Sequence, residues 1–451
     1  LMGPMLKGRA DLSMVFVSRA LNCLRPGGSL GILIPSTLLT LLSAERWRDA
    51  IARDADIRLV ASLGDFGLFR HAMVQVAAMV LSLKDGALQR PDSALAIIAS
   101  NAAEATGDAL RALRRGERSA GGGAVTSKSG KAGWRAFELP AEQFGRRQTW
   151  RLVAPEATSA LERLEAIGAT CPLREIFDVR QGVRTGDNQT FVVNENFYGS
   201  LPASEKRFFR PAAMGDNIVD GRLERTDFVF YPYDESGPLI VNEDDLIRLV
   251  PTFRRKILAP RLDQLSDRSD IRRSGRTDWW GLSQRRDWGA SRRPRIVSKY
   301  FGKEGSFALD EKAEYVVVQG FAWFPRWPDS EENVGDLIVE DEDLDYESSP
   351  SLTTGDLLAA YSAIFNSEPF QRLLLIFSAY VGGGQADLSP RFVNEVPIPN
   401  LPAMAVDDTN GHRIARLISM GRNMKPDDYD WRQMAGRAVT ELYGVELFER
   451  I

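Results

Sequence analysis

Two cysteines and two histidines in 451 residues remove several chemistries at once. Cys23 and Cys171 stand far apart with no Cys-x-x-Cys spacing. That argues against a disulfide framework or a zinc finger and makes a reducing cytoplasm the expected compartment. His71 and His412 offer too little for a histidine-ligated metal or histidine catalysis, so no metal is expected. No apolar run approaches the ~20 residues of a membrane span. The N-terminus has no basic region leading into an apolar core, so no secretory signal is visible. Charge of one sign is also lacking: 57 Lys/Arg against 61 Asp/Glu leave a net −4. A paired-carboxylate nuclease motif of the Pro-Asp … Asp/Glu-x-Lys kind is absent too.

What is present is 44% apolar residues in a chain long enough for two or three domains. The first stretch reads helix, turn, strand, helix, strand, strand. Leu12, Val15, Phe16, Ala20 and Leu24 recur at helical spacing over 12–24. Arg25-Pro26-Gly27-Gly28 stops that helix, because proline cannot continue it and glycine accepts the dihedrals of the turn. Residues 30–34 form a short apolar run without alternation, the pattern of a buried strand. A helix over 43–53 and strands over 57–62 and 74–83 follow, the last two joined by Gly64-Asp65-Phe66-Gly67-Leu68-Phe69.

The run Ala10-Asp11-Leu12 … Phe16 … Arg19-Ala20-Leu21 … Leu24-Arg25-Pro26-Gly27-Gly28 … Ile34-Pro35-Ser36 … Gly64-Asp65 … Phe69 … Val74 resembles one known arrangement. It is similar to the second half of the catalytic domain of gamma-class adenine-N6 DNA methyltransferases with a Taq-like C-terminal specificity domain. The resemblance implies an S-adenosylmethionine-dependent enzyme of a restriction–modification or phage-defence system. It places Phe16 against the cofactor's adenine ring and Phe69 on the target base after base flipping. A base removed from its stack must recover stacking energy, which an aromatic face supplies. The alternative for both is a core phenylalanine.

Two elements that precede this point in the family have no counterpart here. No Asn/Asp-Pro-Pro-Tyr/Phe loop occurs. The glycine cluster nearest this region, Gly121-Gly122-Gly123, follows the charged, helical run 108–118 rather than a buried strand and reads as linker. The expectation is a chain that lacks the first half of the methyltransferase, in cis or as a separate subunit, and is inactive alone.

Downstream, a strand over 94–99 and a helix close the first domain. Residues 134–150 read as a connector, and 158–167 as a helix ended by Gly168. Gln181-Gly182-Val183-Arg184-Thr185-Gly186-Asp187-Asn188 leads into a strand over 190–193. This resembles the opening of the family's target-recognition domain and makes Gln181, Arg184, Thr185 and Asn188 candidates for phosphates or base edges. An ordinary polar hairpin is the alternative. Residues 254–303 hold fifteen Lys/Arg against five Asp/Glu. The groups are Arg254-Arg255-Lys256, Arg272-Arg273, Arg276, Arg285-Arg286 and Arg292, Arg293 and Arg295. Trp279, Trp280, Trp288, Tyr300 and Phe301 are interleaved, the mixture expected of a nucleic-acid surface. Residues 329–347 are acidic and would repel DNA. A glycine loop, Gly382-Gly383-Gly384-Gln385, again resembles the Taq-type domain and makes Gln385 a candidate base reader.

The resulting expectation is an α/β chain: the second half of a Rossmann-like class I methyltransferase domain over 1–118, then a linker over 119–150. A mixed α+β target-recognition domain follows over 151–405, and a helical tail packs on the body over 406–451. Double-stranded DNA is the expected partner, with other defence-system subunits possible. A DNA-binding specificity or scaffold subunit without chemistry is the alternative function.

Overall fold

The computed structural model describes residues 11–63, 75–86, 90–99, 111, 125–126, 134–145, 149–327, 352–378, 380–381, 385–405 and 410–444. The chain divides into two units. One comprises 1–166, 375–385 and 446–451; the other comprises 167–374 and 386–445.

In the first unit, α1 (Leu12–Asn22) starts at Asp11, whose carboxylate accepts the Ser13 N–H at 2.8 Å. It ends ahead of Gly27, whose φ of 71° is the left-handed turn glycine permits. Strand β1 (Ser29–Pro35), α2 (Glu45–Asp54), β2 (Ala55–Leu63) and β3 (Val76–Leu83) follow. β3 lies between β1 and β2 and is antiparallel to both, with Ile32 opposite Met79 and Val60 opposite Met79. β1 and β2 therefore run parallel, joined by a helical crossover, as in a Rossmann-like half-sheet. β4 (Ser93–Ala99) extends the sheet parallel to β2.

Two expectations are corrected here. Residues 134–140 are not a connector. They form β6 (Trp134–Pro140), paired with β4 along seven residues, with β5 (Val125–Thr126) at its outer side. Successive strand residues point to opposite faces, and here both faces are apolar. Trp134 and Ala136 pack into one core cluster, Phe137 and Leu139 into another. β1 is not a buried strand either. Among the described residues it pairs on one edge only, and Leu33 is 49% exposed. The larger core of this unit gathers Trp47, Phe137, Phe144 and Trp150. Buried Arg48 donates to the Leu38 and Leu41 carbonyls at 2.8 Å each. Burial pushes its guanidinium down to about 10, so it remains charged at neutral pH.

α3 (Pro155–Ile167) leads to the boundary of the second unit, which lies near 167 rather than 151. This unit opens with β7 (Thr170–Pro172) and β8 (Phe177–Gln181). β8 is the edge strand of an antiparallel sheet whose other members are Phe321–Pro325, Arg295–Ser298 and Phe307–Asp310. A second four-stranded sheet contains Val192–Asn194, Asp227–Phe230, Phe209–Ala213 and Val316–Val317. The strand expected at 190–193 starts later, because Asn188–Phe191 is a helical turn capped by Asp187.

An aromatic core of Phe177, Phe307, Trp323, Tyr361, Phe365 and Phe370 lies under the first sheet, ring centroids 4.6–6.4 Å apart for the neighbouring pairs. Tyr361 donates its hydroxyl to the Pro399 carbonyl at 2.8 Å and accepts from the Leu401 N–H at 3.0 Å. Helices Gly411–Arg422 and Tyr429–Tyr443, expected as a tail, belong to this unit. A Cβ on Gly421 would overlap the Ala359 carbonyl, so the helix Thr354–Phe365 approaches at backbone distance. Among the described residues no helix is long and apolar enough to cross a membrane.

Candidate nucleic-acid interface

Two loops of the second unit are tied together at one end of β8. The first, 181–188, continues that strand. Gly182 is where it passes closest to a neighbour: a Cβ there would overlap the Val317 carbonyl oxygen. The second loop, 284–293, joins it through a reciprocal backbone pair. Arg184 N–H donates to Gln284 O at 2.9 Å, and Gln284 N–H returns the bond to Arg184 O at 2.9 Å.

The second loop is held from below. Tyr231 donates its hydroxyl to Arg285 O at 3.4 Å, and Gly289 sits against the Tyr231 ring, where a side chain would clash. Arg210 donates to Gly289 O at 3.3 Å and also to the carbonyls of Ala313 and Glu314. Burial, with Arg292 and Arg295 adding like charge, pushes the Arg210 guanidinium down to about 10. Burial likewise pushes the Tyr231 hydroxyl up to about 12. Neither group titrates near neutral pH, so both act as fixed struts.

On the outside of the two loops lies an open cleft lined by Arg180, Gln181, Gln284, Arg286, Asp287 and Trp288. Arg286 donates Nε–H to Gly182 O at 3.3 Å and Nη2–H to Gln181 Oε1 at 3.1 Å. Gln181 in turn donates Nε2–H to the Tyr300 hydroxyl at 3.4 Å. Trp288 packs edge-on against Phe324, centroids 5.4 Å apart. Arg180 is paired with Asp178 at 2.6 Å.

The expected DNA-contacting residues divide sharply. Arg184, Arg255, Lys256, Arg273, Arg285 and Arg292 are exposed, and their side chains have no hydrogen bond or ion pair among the described residues. Arg285 lies over the Tyr233 ring at 5.9 Å. Arg254 pairs with Glu243 at 3.3 Å, and Arg272 with Asp267 at 3.2 Å. Arg276 grips Asp278 through two bonds of 2.8 and 2.5 Å, which neutralises it. Arg293 reaches the Pro325 carbonyl.

Arg295 is a correction. It is 0% exposed and paired to Asp310 at 3.0 Å, a strut inside the sheet and out of reach of DNA. A linear run of arginines hides this, because alternate strand residues point to opposite faces. Thr185 is a second correction. It is buried, and its hydroxyl donates to Asn188 Oδ1 at 2.5 Å, so this pair shapes the loop from within. Gln385 opens the strand Gln385–Asp387 and is half-buried. Phe69 lies outside the described residues, as do Gly121–Gly123, most of 108–118, residues 329–347 and Gly382–Gly384. Phe16 is 62% exposed on α1 beside Leu12, so it is no core residue.

Sequence reasoning missed Arg210, which reaches Ala313 across 103 residues, and Arg268, which reaches Thr185 across 83. Arg268 donates to the carbonyls of Thr185, Trp279 and Gly281 and fixes the first loop against the helix Ser269–Ser274. Only its place in the arginine-rich stretch signalled it.

No protein-family model matches the sequence, and no curated protein does. Solved structures do. The type IIL restriction–modification enzyme MmeI, solved in complex with DNA, is similar over 98% of this chain and 50% of its own, with 11% identity and a TM-score of 0.53. This chain shares its fold with part of that enzyme. The type IIG restriction endonuclease BpuSI matches 97% of this chain and 50% of its own at 12% identity and TM-score 0.35. The EcoKI M protein of a type I restriction enzyme matches 30% and 35% at 14% identity and TM-score 0.23. Of these three the first alone exceeds 0.5, and at 11% identity it shows a shared fold. The chain spans about half the length of the two type II enzymes.

Proposed function

We propose that this chain is the DNA-binding and target-base half of an S-adenosylmethionine-dependent adenine-N6 DNA methyltransferase of a restriction–modification or phage-defence system. The observation that carries the reading is the pair of loops 181–188 and 284–293. They present Arg184, Arg285 and Arg292 side chains that are exposed and without a hydrogen bond or ion pair among the described residues, on a scaffold of buried struts. Free cations on a rigid base release counterions from duplex DNA without first losing internal ion pairs. Phe16, exposed on α1, is proposed to line the cofactor's adenine, and Phe69 to stack on the flipped target base. The open edge of β1 is proposed to receive the parallel strands that carry the rest of the cofactor site, in cis or from a separate chain. In the complete enzyme the adenine amino nitrogen attacks the sulfonium methyl, the thioether leaves, and the amino group loses a proton. The protein's contribution there is positioning and the stabilisation of charge building on nitrogen.

A second reading, a DNA-binding specificity subunit without chemistry, is favoured by the β1 edge that is unpaired among the described residues. Titration of a labelled duplex with the full chain at rising salt tests the shared claim. Binding that weakens steeply with salt supports it; no binding at low salt overturns it. Phe69→Ala is expected to weaken binding to a duplex with a mismatched target adenine by ~1–3 kcal/mol. Unchanged affinity with a large fall in thermal stability would place Phe69 in the core.

A further inference from the structure

The guanidinium of Arg286 differs from its neighbours in what it leaves unused. Arg268 spends its donors on four backbone carbonyls, Arg276 is neutralised by Asp278, and Arg295 by Asp310. Arg286 uses one side only. Its Nε–H and inner Nη2–H go to Gly182 O and Gln181 Oε1, both neutral acceptors. Three N–H groups remain without a partner among the described residues, and two of them form the fork at the end of the side chain. The group is held in place by these two bonds, has no ion-pair partner among the described residues, and lines an open cleft. Its backbone is unusual as well. Arg286 has φ of 59°, the left-handed region that a side chain rarely adopts. The loop holds that conformation through the Gly289 N–H bond to Arg286 O at 3.0 Å and the struts beneath it.

The remainder of the cleft selects the ligand. Asp287, exposed at its wall, places a carboxylate beside the arginine but is not ion-paired to it. A phosphate would be repelled by that carboxylate. A base pair would not: guanine offers O6 and N7 as two acceptors matched to an arginine fork, and cytosine offers an amino donor to a carboxylate. Trp288 and Gln284 supply a flat face and a further amide. Resting on the DNA-binding reading above, we infer that this cleft reads one G·C pair from the major groove. Arg286 is the guanine-reading residue, and Gln181 is a positioning residue that orients it. Gln181 itself is spent inside the protein, between Arg286 and Tyr300, and does not reach the base.

The test is a binding selection from a randomised duplex library with the full chain, followed by salt titrations on selected and scrambled duplexes. The wild type is expected to require guanine at one position. Arg286→Met should lower the guanine preference there by roughly 5- to 150-fold. Arg286→Lys keeps the charge but lacks the fork and its anchoring bonds to Gly182 and Gln181, and should weaken the preference while the salt slope stays the same. Gln181→Met, which removes that neutral acceptor, should weaken the preference while the salt slope stays the same, a combination that a general loss of structure would not produce. A guanine requirement that survives in both Arg286 variants overturns the inference. So does a uniform loss of affinity on every sequence with a shallower salt slope in Arg286→Met, which would make Arg286 a phosphate-binding residue. Wild-type binding with no guanine requirement overturns this inference and leaves the DNA-binding reading standing. No binding to any duplex overturns both.

Discussion

The division of the arginines into free and committed groups yields a quantitative expectation for salt dependence. Arg184, Arg285 and Arg292 sit on the two joined loops, their side chains exposed and without ion pairs among the described residues. Replacing all three by glutamine keeps the length and polarity of the surface. Each phosphate that is no longer neutralised should remove about 0.9 from the slope of log affinity against log salt, so the triple variant should be shallower by roughly 2.7. Between about 50 and 200 mM salt, the wild type should therefore lose roughly forty times more affinity than the variant. Arg276 provides the control. Its guanidinium is already held by Asp278 through Nε and Nη2, and it also caps the Leu282 carbonyl. Arg276→Gln should leave the slope unchanged and lower stability instead. Fluorescence anisotropy of a labelled duplex over a salt series reads both. An unchanged slope in the triple variant would refute the reasoning, because it would mean that these cations are solvated rather than bound. A slope reduced as much by Arg276→Gln would refute the distinction between free and paired groups.

Three further outcomes follow from the interior. Tyr361→Phe leaves the Pro399 carbonyl and the Leu401 N–H without their shared partner, so urea unfolding should show a loss of about 1–3 kcal/mol with DNA affinity of the folded protein unchanged. Asp310→Ala strands the buried Arg295 charge, and about 3–5 kcal/mol of stability should go with it, whereas replacing the pair by apolar residues should cost far less. Asp356 is partly desolvated, but the bonds from Arg422 and Thr353 prevail and hold its carboxyl below the usual range. A depressed carboxylate stabilises above its unfolded pKa and loses that contribution as pH falls through the lower folded value. Asp356→Asn should accordingly flatten the acid limb of a stability–pH curve below about pH 4, measured by thermal melting.

The first unit was largely legible because its signals are local. The Asp11 cap, the Pro26-Gly27-Gly28 stop and the apolar strands each act within a few residues, and α1, β1, α2, β2 and β3 stand close to where their patterns put them. What failed there was the burial of β1, which depends on how many neighbours a strand has and not on its own composition. The strand Trp134–Pro140 was overlooked because Arg135 and Glu138, one on each face, interrupt its apolar pattern. The site was legible as a composition but not as a geometry. Charge clusters along the chain pooled Arg286 with Arg295, although one lines a cleft and the other is sealed in a sheet. The pairing of Arg286 with Gln181 spans 105 residues, and no periodicity encodes an interaction at that separation.

The central proposal is a division of labour: this chain holds the DNA, and strands added at the β1 edge complete the cofactor site. Calorimetric titration of the purified chain with S-adenosylmethionine tests it most directly. On that proposal Phe16, exposed on α1, lines one side of the cofactor only, and the account predicts no binding in the micromolar range. Micromolar binding accompanied by methyl transfer to duplex DNA would contradict it.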